Sequence, residues 1–348
     1  MITELQTFER GSLGALTRPL RLGLIGLGQI GRVHLANLSD LQEARVVSVA
    51  EPAPLGEPSL EASIQHCRGW EDVVADRTLD AVLITLPHAL HAECAKKALA
   101  AGLHVFLEKP LATTWEDARQ VVEAARVADR TLMVNMTHRF YPPIRMARRM
   151  VQEGELGEVI AVHDHYMEVI DRSAFPAWFF DPELSGGGVT MTDSIHLLDR
   201  VSWVLGEPLR LAGQVARRLD PGSKAEDCSE LLCASASGIP VTVGSFFCFG
   251  GERSWADRLT LFGSRGTLVA QAWSHLEWTP HGKPMQRIEA YPDGLAHEER
   301  SLLGHRAALR EFLDAIQSGR EPEASGRQVL NAQEIVQCFH DRLADGSV

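Results

Sequence analysis

Between Arg21 and Arg32 the chain reads Arg-Leu-Gly-Leu-Ile-Gly-Leu-Gly-Gln-Ile-Gly-Arg, an apolar strand running straight into G-x-G-x-x-G. Few features constrain a fold more tightly. Gly26, Gly28 and Gly31 stand where a strand must turn sharply into a helix: glycine permits the turn, lets backbone approach a ligand closely, and lets helix pack on strand. The helix start, with the backbone of Gln29 and Ile30, then offers free N–H groups and a positive dipole end to a pyrophosphate. Twenty residues after Gly31, Glu51 closes the next apolar run, Arg45–Ala50, where a ribose-binding carboxylate belongs. The stretch predicts a dinucleotide-binding βαβ unit.

The wider chain agrees. From residue 20 to 135, strand-like runs at Leu20–Ile25, Arg45–Ala50, Asp80–Leu86, His104–Leu107 and Thr131–Asn135 alternate with helix-like runs, notably Ala89–Ala100 and Thr114–Ala128. Thr113 or Thr114 can cap the second of these helices. Such alternation predicts a parallel sheet covered on both faces. After Arg139-Phe-Tyr-Pro-Pro143 the texture changes. A helix at Ile144–Glu153 leads into a long strand, Glu158–Glu168. A loop and helix occupy 181–205, and further strands fall near 209–218, 230–237, 239–248, 259–262 and 267–271, with turns at Ser237-Gly238 and Ser264-Arg-Gly266. Helices near 305–317 and 327–343 follow. The expected fold class is α/β: an N-terminal Rossmann domain (19–138), then an α+β domain (139–348) with a large, mostly antiparallel open sheet, preceded by a tail at 1–18.

With 45% apolar residues among 348, the chain can fill two cores. A net charge of −12 argues against nucleic acid or an anionic membrane surface as partner. No run is long and apolar enough to span a bilayer, and the acidic residues of the first ten positions do not suit a secretory signal. Six cysteines without C-x-x-C spacing suit a reduced, cytoplasmic protein. His163 and His165 share a strand face but lack a third ligand, so no metal is expected.

Three further segments carry chemistry. Thr85-Leu-Pro-His-Ala-Leu-His91 and Glu108-Lys-Pro110 follow strands three and four of the alternating region, at the carboxyl ends where doubly wound sheets bind ligands. Thr85, Leu86, Pro87, His91, Glu108 and Lys109 are therefore candidate cofactor contacts. The third, Gly186-Gly-Gly-Val-Thr-Met-Thr-Asp-Ser-Ile-His-Leu-Leu-Asp199, opens a helix on which Asp193 and His196 are spaced i, i+3. A histidine beside a carboxylate is a general base near neutral pH.

Taken with His138-Arg-Phe140 and the Gly263-Ser-Arg-Gly266 turn, these motifs resemble the Gfo/Idh/MocA oxidoreductase family, in its order and spacing over nearly the whole chain. The resemblance implies hydride transfer between a nicotinamide and a hydroxyl-bearing carbon of a sugar, polyol or cyclitol. Lys109 would polarise or protonate the substrate oxygen, with the Lys109–Pro110 bond cis. His196 would accept the hydroxyl proton, with Asp193 orienting it or binding substrate, and Arg139 and Thr192 would join the substrate side. It also implies homodimers or homotetramers, paired through the second domain's sheet. One departure stands out. The family's aspartate four residues before the histidine is Thr192 here, and the acid sits one place later, about 100° round an α-helix. Glu51, followed by no Arg or Lys up to Pro58, favours NAD(H) over NADP(H), because a carboxylate repels a 2′-phosphate. Two rival readings are a non-catalytic dinucleotide-binding regulator and a reductase of a biliverdin- or imine-type substrate. Retention of both Lys109 and His196 weighs against the regulator.

Overall fold

The computed structural model describes residues 18–53, 60–250 and 254–346. The tail expected at 1–18 lies outside them but for Arg18, as do residues 54–58 of the run after Glu51.

The first layer system is built from β1 (Leu20–Ile25), α1 (Gln29–Ser39), β2 (Ala44–Ala50), β3 (Gln65–Cys67), α2 (Trp70–Ala75), β4 (Ala81–Ile84), α3 (His91–Ala100), β5 (His104–Leu107), α4 (Trp115–Ala128) and β6 (Leu132–Val134). Its six strands are all parallel, in the order β3-β2-β1-β4-β5-β6. The Leu, Val and Ile side chains of β1, β4, β5 and β6 are buried on both faces, as their continuous apolar runs require. The order reverses beside β1, the place where sheets of this kind bind ligands at the carboxyl ends of their strands. Thr114 caps α4, its Oγ1 accepting from the Asp117 N–H at 3.1 Å. β3 escaped the sequence reading because three residues are too few to show a period.

The second region contains α5 (Pro142–Gln152), β7 (Val159–Ile170), the one-turn α6 (Pro182–Ser185), α7 (Ile195–Leu205), β8 (Leu209–Arg217), β9 (Cys228–Ser235), β10 (Pro240–Phe249), β11 (Trp255–Gly263), β12 (Gly266–Ala270), β13 (His275–Pro280), β14 (Gln286–Glu289), α8 (His297–Ser318) and α9 (Gly326–Ala344). Its eight-stranded sheet runs β14-β13-β12-β11-β7-β10-β9-β8, antiparallel except for the β7–β10 pair. α5, α7 and α9 pack against this sheet. The edge strand β14, Gln-Arg-Ile-Glu, carries the charged residues that blunt an edge and hide a strand signal. α8 begins eight residues before the expected start. Its first turns are polar, and Glu299 accepts from the Ala296 N–H at 2.7 Å to close the end. α8 packs against α1 and α9 against α4, while the Val134 N–H bonds the Ala324 carbonyl. The last helices thus fold back onto the first sheet, which a purely sequential division at residue 138 does not anticipate.

α7 is bolted in place by adjacent buried ion pairs. Arg139 reaches Asp199 through Nε (2.7 Å) and Nη2 (2.6 Å). Arg200, with no exposed surface, donates through Nε to Asp164 on β7 (2.7 Å) and pairs through Nη2 with Asp257 on β11 (2.7 Å). Burial pushes the Asp164 carboxyl up to about 6, with Arg200 opposing that rise.

Candidate active site

Each nucleotide-binding glycine has a distinct job. Gly26 adopts φ 93°, in the left-handed region, with its carbonyl held by Thr85 Oγ1 at 2.7 Å. A Cβ on Gly31 would collide with that same carbonyl, so glycine is needed where α1 crosses the turn. Gly28, the N-cap, faces open space: a Cβ there would meet nothing within 4 Å. α1 has no side-chain cap and no acid in its first turn, so its N-terminal N–H groups are left for an anion. Glu51 leans over the turn, accepting from the Leu27 N–H at 2.8 Å and the Ala53 N–H at 3.1 Å. A cradle open only at Gly28, with a carboxylate at the end of β2, fits a dinucleotide with an unphosphorylated ribose.

Not every candidate cofactor residue points into this cleft. Thr85 spends its hydroxyl on the carbonyls of Gly26 and Ile25, supporting the turn from beneath. His91 is fully buried, its Nδ1 2.7 Å from the Pro110 carbonyl and its Nε2 2.8 Å from the Leu86 carbonyl. It clamps the two strand-end loops together, and direct cofactor contact by its ring is corrected on that ground. Leu86 and Pro87 are partly exposed at the β4 end.

Glu108 turns inward. Its Oε1 lies 2.7 Å from His34 Nε2 and accepts from Asn135 Nδ2 at 2.6 Å, and the same amide nitrogen is 3.3 Å from His305 Nδ1. Burial works to raise this carboxyl, yet His34, His305 and Asn135 hold it down at about 2. The ligand atoms of His34, Glu108 and His305 lie within 4.8 Å of one another. An amide N–H pointing into their midst, and a buried His34 Nδ1 with no partner of its own, make this a hydrogen-bonded carboxylate rather than a metal's donor set. The Lys109–Pro110 bond is cis, as the resemblance implied.

Lys109 crosses to the second region, donating from Nζ to the Thr192 carbonyl at 2.6 Å. That carbonyl belongs to a π-helical turn, Thr190–Ser194, which precedes α7 and alters the angular spacing assumed for an α-helix. The Thr192 hydroxyl is not aimed at a substrate; it bonds the Gly188 carbonyl (3.1 Å) and Asp193 Oδ2 (2.8 Å). No hydrogen bond joins Asp193 to His196, whose buried Nδ1 has no hydrogen-bond partner, so an orienting role for Asp193 is corrected. Burial raises the Asp193 carboxyl to about 6, against the pull of Lys109. Burial also drives His196 well below the ordinary histidine value, and Lys109 adds to that.

Arg139 is the clearest correction. It is 2% exposed, and beyond Asp199 its Nη1 donates to Gln328 Oε1 (3.0 Å) and the Glu323 carbonyl. These bonds commit its guanidinium to the fold rather than to a substrate.

Several cleft residues escaped the sequence reading. His138 stacks on His196 at 4.5 Å between centroids and 11° between planes. Trp273 meets His138 edge-on at 5.4 Å and lies 6.0 Å from Tyr166, whose hydroxyl donates to Glu168 at 2.9 Å. Asp164, Tyr166 and Glu168 alternate along β7 on the inward parity, a signal opposite in phase to the His163/His165 pair that drew notice. His165 instead lies 3.2 Å from Glu230 across the sheet's outer face. Trp178, Phe179 and Phe180 pack as expected: Phe179 and Phe180 lie against Phe175, and Trp178 meets His88.

Sequence comparison places this site. Residues 20–136 match the family model described as an oxidoreductase family with an NAD-binding Rossmann fold, and residues 144–269 match the GFO/IDH/MocA C-terminal domain. The chain belongs to the Gfo/Idh/MocA oxidoreductases, NAD-binding enzymes. Among its relatives, inositol 2-dehydrogenase of Rhizobium meliloti (strain 1021) is 26% identical over 326 residues, spanning 90% of this chain and 93% of that protein. D-glucoside 3-dehydrogenase of Escherichia coli (strain K12) is 32% identical over 196 residues, 55% of each chain. In structure, levoglucosan dehydrogenase in complex with NADH and levoglucosan superposes with a TM-score of 0.80 at 21% identity, covering 94% of this chain and 98% of that one, which establishes the shared fold.

Two measurements follow. Arg139→Leu strands the buried Asp199 charge, and loss of one partner from such a pair costs about 3–5 kcal/mol. The urea midpoint should fall accordingly, while KM measured under folding conditions stays near the parent value; a large KM change without a stability loss would restore Arg139 to the substrate side. Glu51→Ala should narrow the gap between NADH and NADPH dissociation constants, and tighter binding of NADPH by the parent would contradict the role given to Glu51.

Proposed function

We propose that this chain is an NAD(H)-dependent dehydrogenase acting on a hydroxyl-bearing carbon of a sugar, polyol or cyclitol. The observation that carries the proposal is the bond from Lys109 Nζ to the Thr192 carbonyl, which anchors Lys109 on the turn that leads into the helix of His196. When bound, the nicotinamide accepts or donates the hydride. Every other demand of the reaction falls on the chain itself.

The turn at Gly26, Gly28 and Gly31, with Gln29 and Ile30, takes the pyrophosphate, and Glu51 takes the adenosine ribose. In oxidation, the substrate hydroxyl must lose its proton. A neutral His196 accepts it, and burial favours the uncharged imidazole. The Lys109 ammonium places positive charge where alkoxide character develops, an effect strengthened in a water-poor cleft. Asp193, ionised above about pH 6, accepts a hydrogen bond from a second hydroxyl. Its one-place offset from the family's usual aspartate re-aims that contact and so bears on which polyol fits. Names among the relatives support the substrate class: inositol, a D-glucoside and levoglucosan are all polyhydroxylated rings.

The outer face of the eight-stranded sheet supports a homodimer or homotetramer. Val215 and Leu232 are 55% and 47% exposed there. Symmetric pairing of such faces is the common outcome for soluble enzymes. All six cysteines are free, which suits a reducing cytoplasm. Among the described residues no helix is long and apolar enough to cross a membrane.

Lys109→Ala and His196→Ala should each lower kcat by about 10²–10⁴ with NADH affinity nearly unchanged, judged by turnover and fluorescence titration. Full activity of His196→Ala on the true substrate would remove it as proton acceptor. Light scattering should give a multiple of the 38.3 kDa chain mass, and a monomer at micromolar concentration would refute the sheet-face assembly.

A further inference from the structure

His196 has no hydrogen-bond partner on its buried Nδ1, so no carboxylate or carbonyl sets its plane or its charge. What touches it is another imidazole. His138, 7% exposed, lies parallel to it, with 4.5 Å between centroids and 11° between planes. His138 is itself fixed: Arg200 Nη1 lies 3.2 Å from its Nδ1, and Trp273 abuts its edge at 90°. A guanidinium is always a donor, so His138 Nδ1 must be the acceptor, which leaves its ring neutral with the proton on Nε2. Arg200 cannot swing away, being held by Asp164 and Asp257. Asp257 in turn accepts from the Ala272 N–H at 2.6 Å, beside Trp273, so one buried network fixes both surfaces that hold His138.

We propose that His138 is a positioning residue for His196: its locked, neutral ring holds the His196 imidazole by stacking and keeps it in the uncharged form that accepts a proton. This deepens, and rests on, the reading of His196 as proton acceptor. The surrounding charges point the same way. His196 is faced by Lys109 from the β5 end, by Arg200 from its own helix and by His305 from α8; Glu108 favours its protonation, and Asp193 lies one turn earlier. An imidazolium stacked on an imidazole that already accepts from a guanidinium would have no anion in contact to offset it. Asp193 makes no hydrogen bond to His196 that would supply that offset, and Glu108 is committed to His34 and Asn135.

Two substitutions separate stacking from simple structural support. His138→Gln keeps an oxygen acceptor for Arg200 and loses the ring. His138→Phe keeps a flat ring and loses the acceptor. The measurement is an NMR titration of the full-length protein with labelled histidine imidazoles, His196 being assigned with His196→Ala, alongside kcat/KM for oxidation against pH. In the parent and in His138→Phe, His196 should not titrate between roughly pH 5 and 8, the window of ordinary histidines. In His138→Gln it should titrate inside that window, and kcat/KM near pH 6 should fall about tenfold relative to pH 8. A silent His196 in folded His138→Gln would overturn the proposal. So would a titrating His196 in His138→Phe, a result readable even if His138→Gln fails to fold. The NMR result is independent of turnover. Full activity of His196→Ala would sink the catalytic reading alone, whereas a dead His196→Ala with unmoved His138 variants would sink only the positioning role.

Discussion

Two buried guanidinium groups hold α7, the helix that carries His196, where it is. Asp199 and Arg200 are neighbours on α7, and each is paired with a partner that is itself nearly solvent-free: Arg139 from the loop after β6, Asp164 and Asp257 from the second sheet. A buried charge without its partner is far costlier than the pair is beneficial, so such contacts act mainly to forbid alternatives. α7 cannot rotate or slide without stranding a charge. The positions of His196 and of the π-helical turn before it follow from that restriction.

The site then assembles from two independent halves. The parallel sheet delivers the glycine turn, Glu51, Glu108 and Lys109 at the carboxyl ends of its strands, because that is where every loop of such a sheet emerges. The antiparallel sheet delivers Tyr166, Glu168 and, through α7, His196. A direct tie spans them from Lys109 Nζ to the Thr192 carbonyl. A π-helical turn suits this function, since its widened spacing changes where the backbone carbonyls point. Polar burial around the junction is balanced unevenly: Asp193 is pushed up towards neutrality, while Glu108, supplied with donors, is held ionised. Two carboxyl groups near one lysine thus do different work.

Much of this was legible in the chain of residues. Strand and glycine positions come from local rules, and β1 and β5 fall on the expected residues because an apolar run ending in a forced turn has only one way to fold. The same holds for the Thr114 cap and the hairpins at residues 237–238 and 264–265. Lys109 and His196 were visible because motif and position at a strand end or helix start reinforce each other. Short or charged edge strands such as β3 and β14 were not, since three or four polar residues carry no period to read.

Partnership among side chains was decided only by the tertiary structure. Nothing in the spacing of Arg139 says that its donors are consumed by Asp199, Gln328 and a carbonyl more than 180 residues away. Nothing marks His91 as a clamp on two carbonyls, or makes His138 rather than Asp193 the neighbour of His196. Sequence periodicity reports which face a side chain takes, because that depends on its own helix or strand. Which group meets it across the interior depends on how whole elements pack, and that choice is made by buried charges and ring contacts between distant segments.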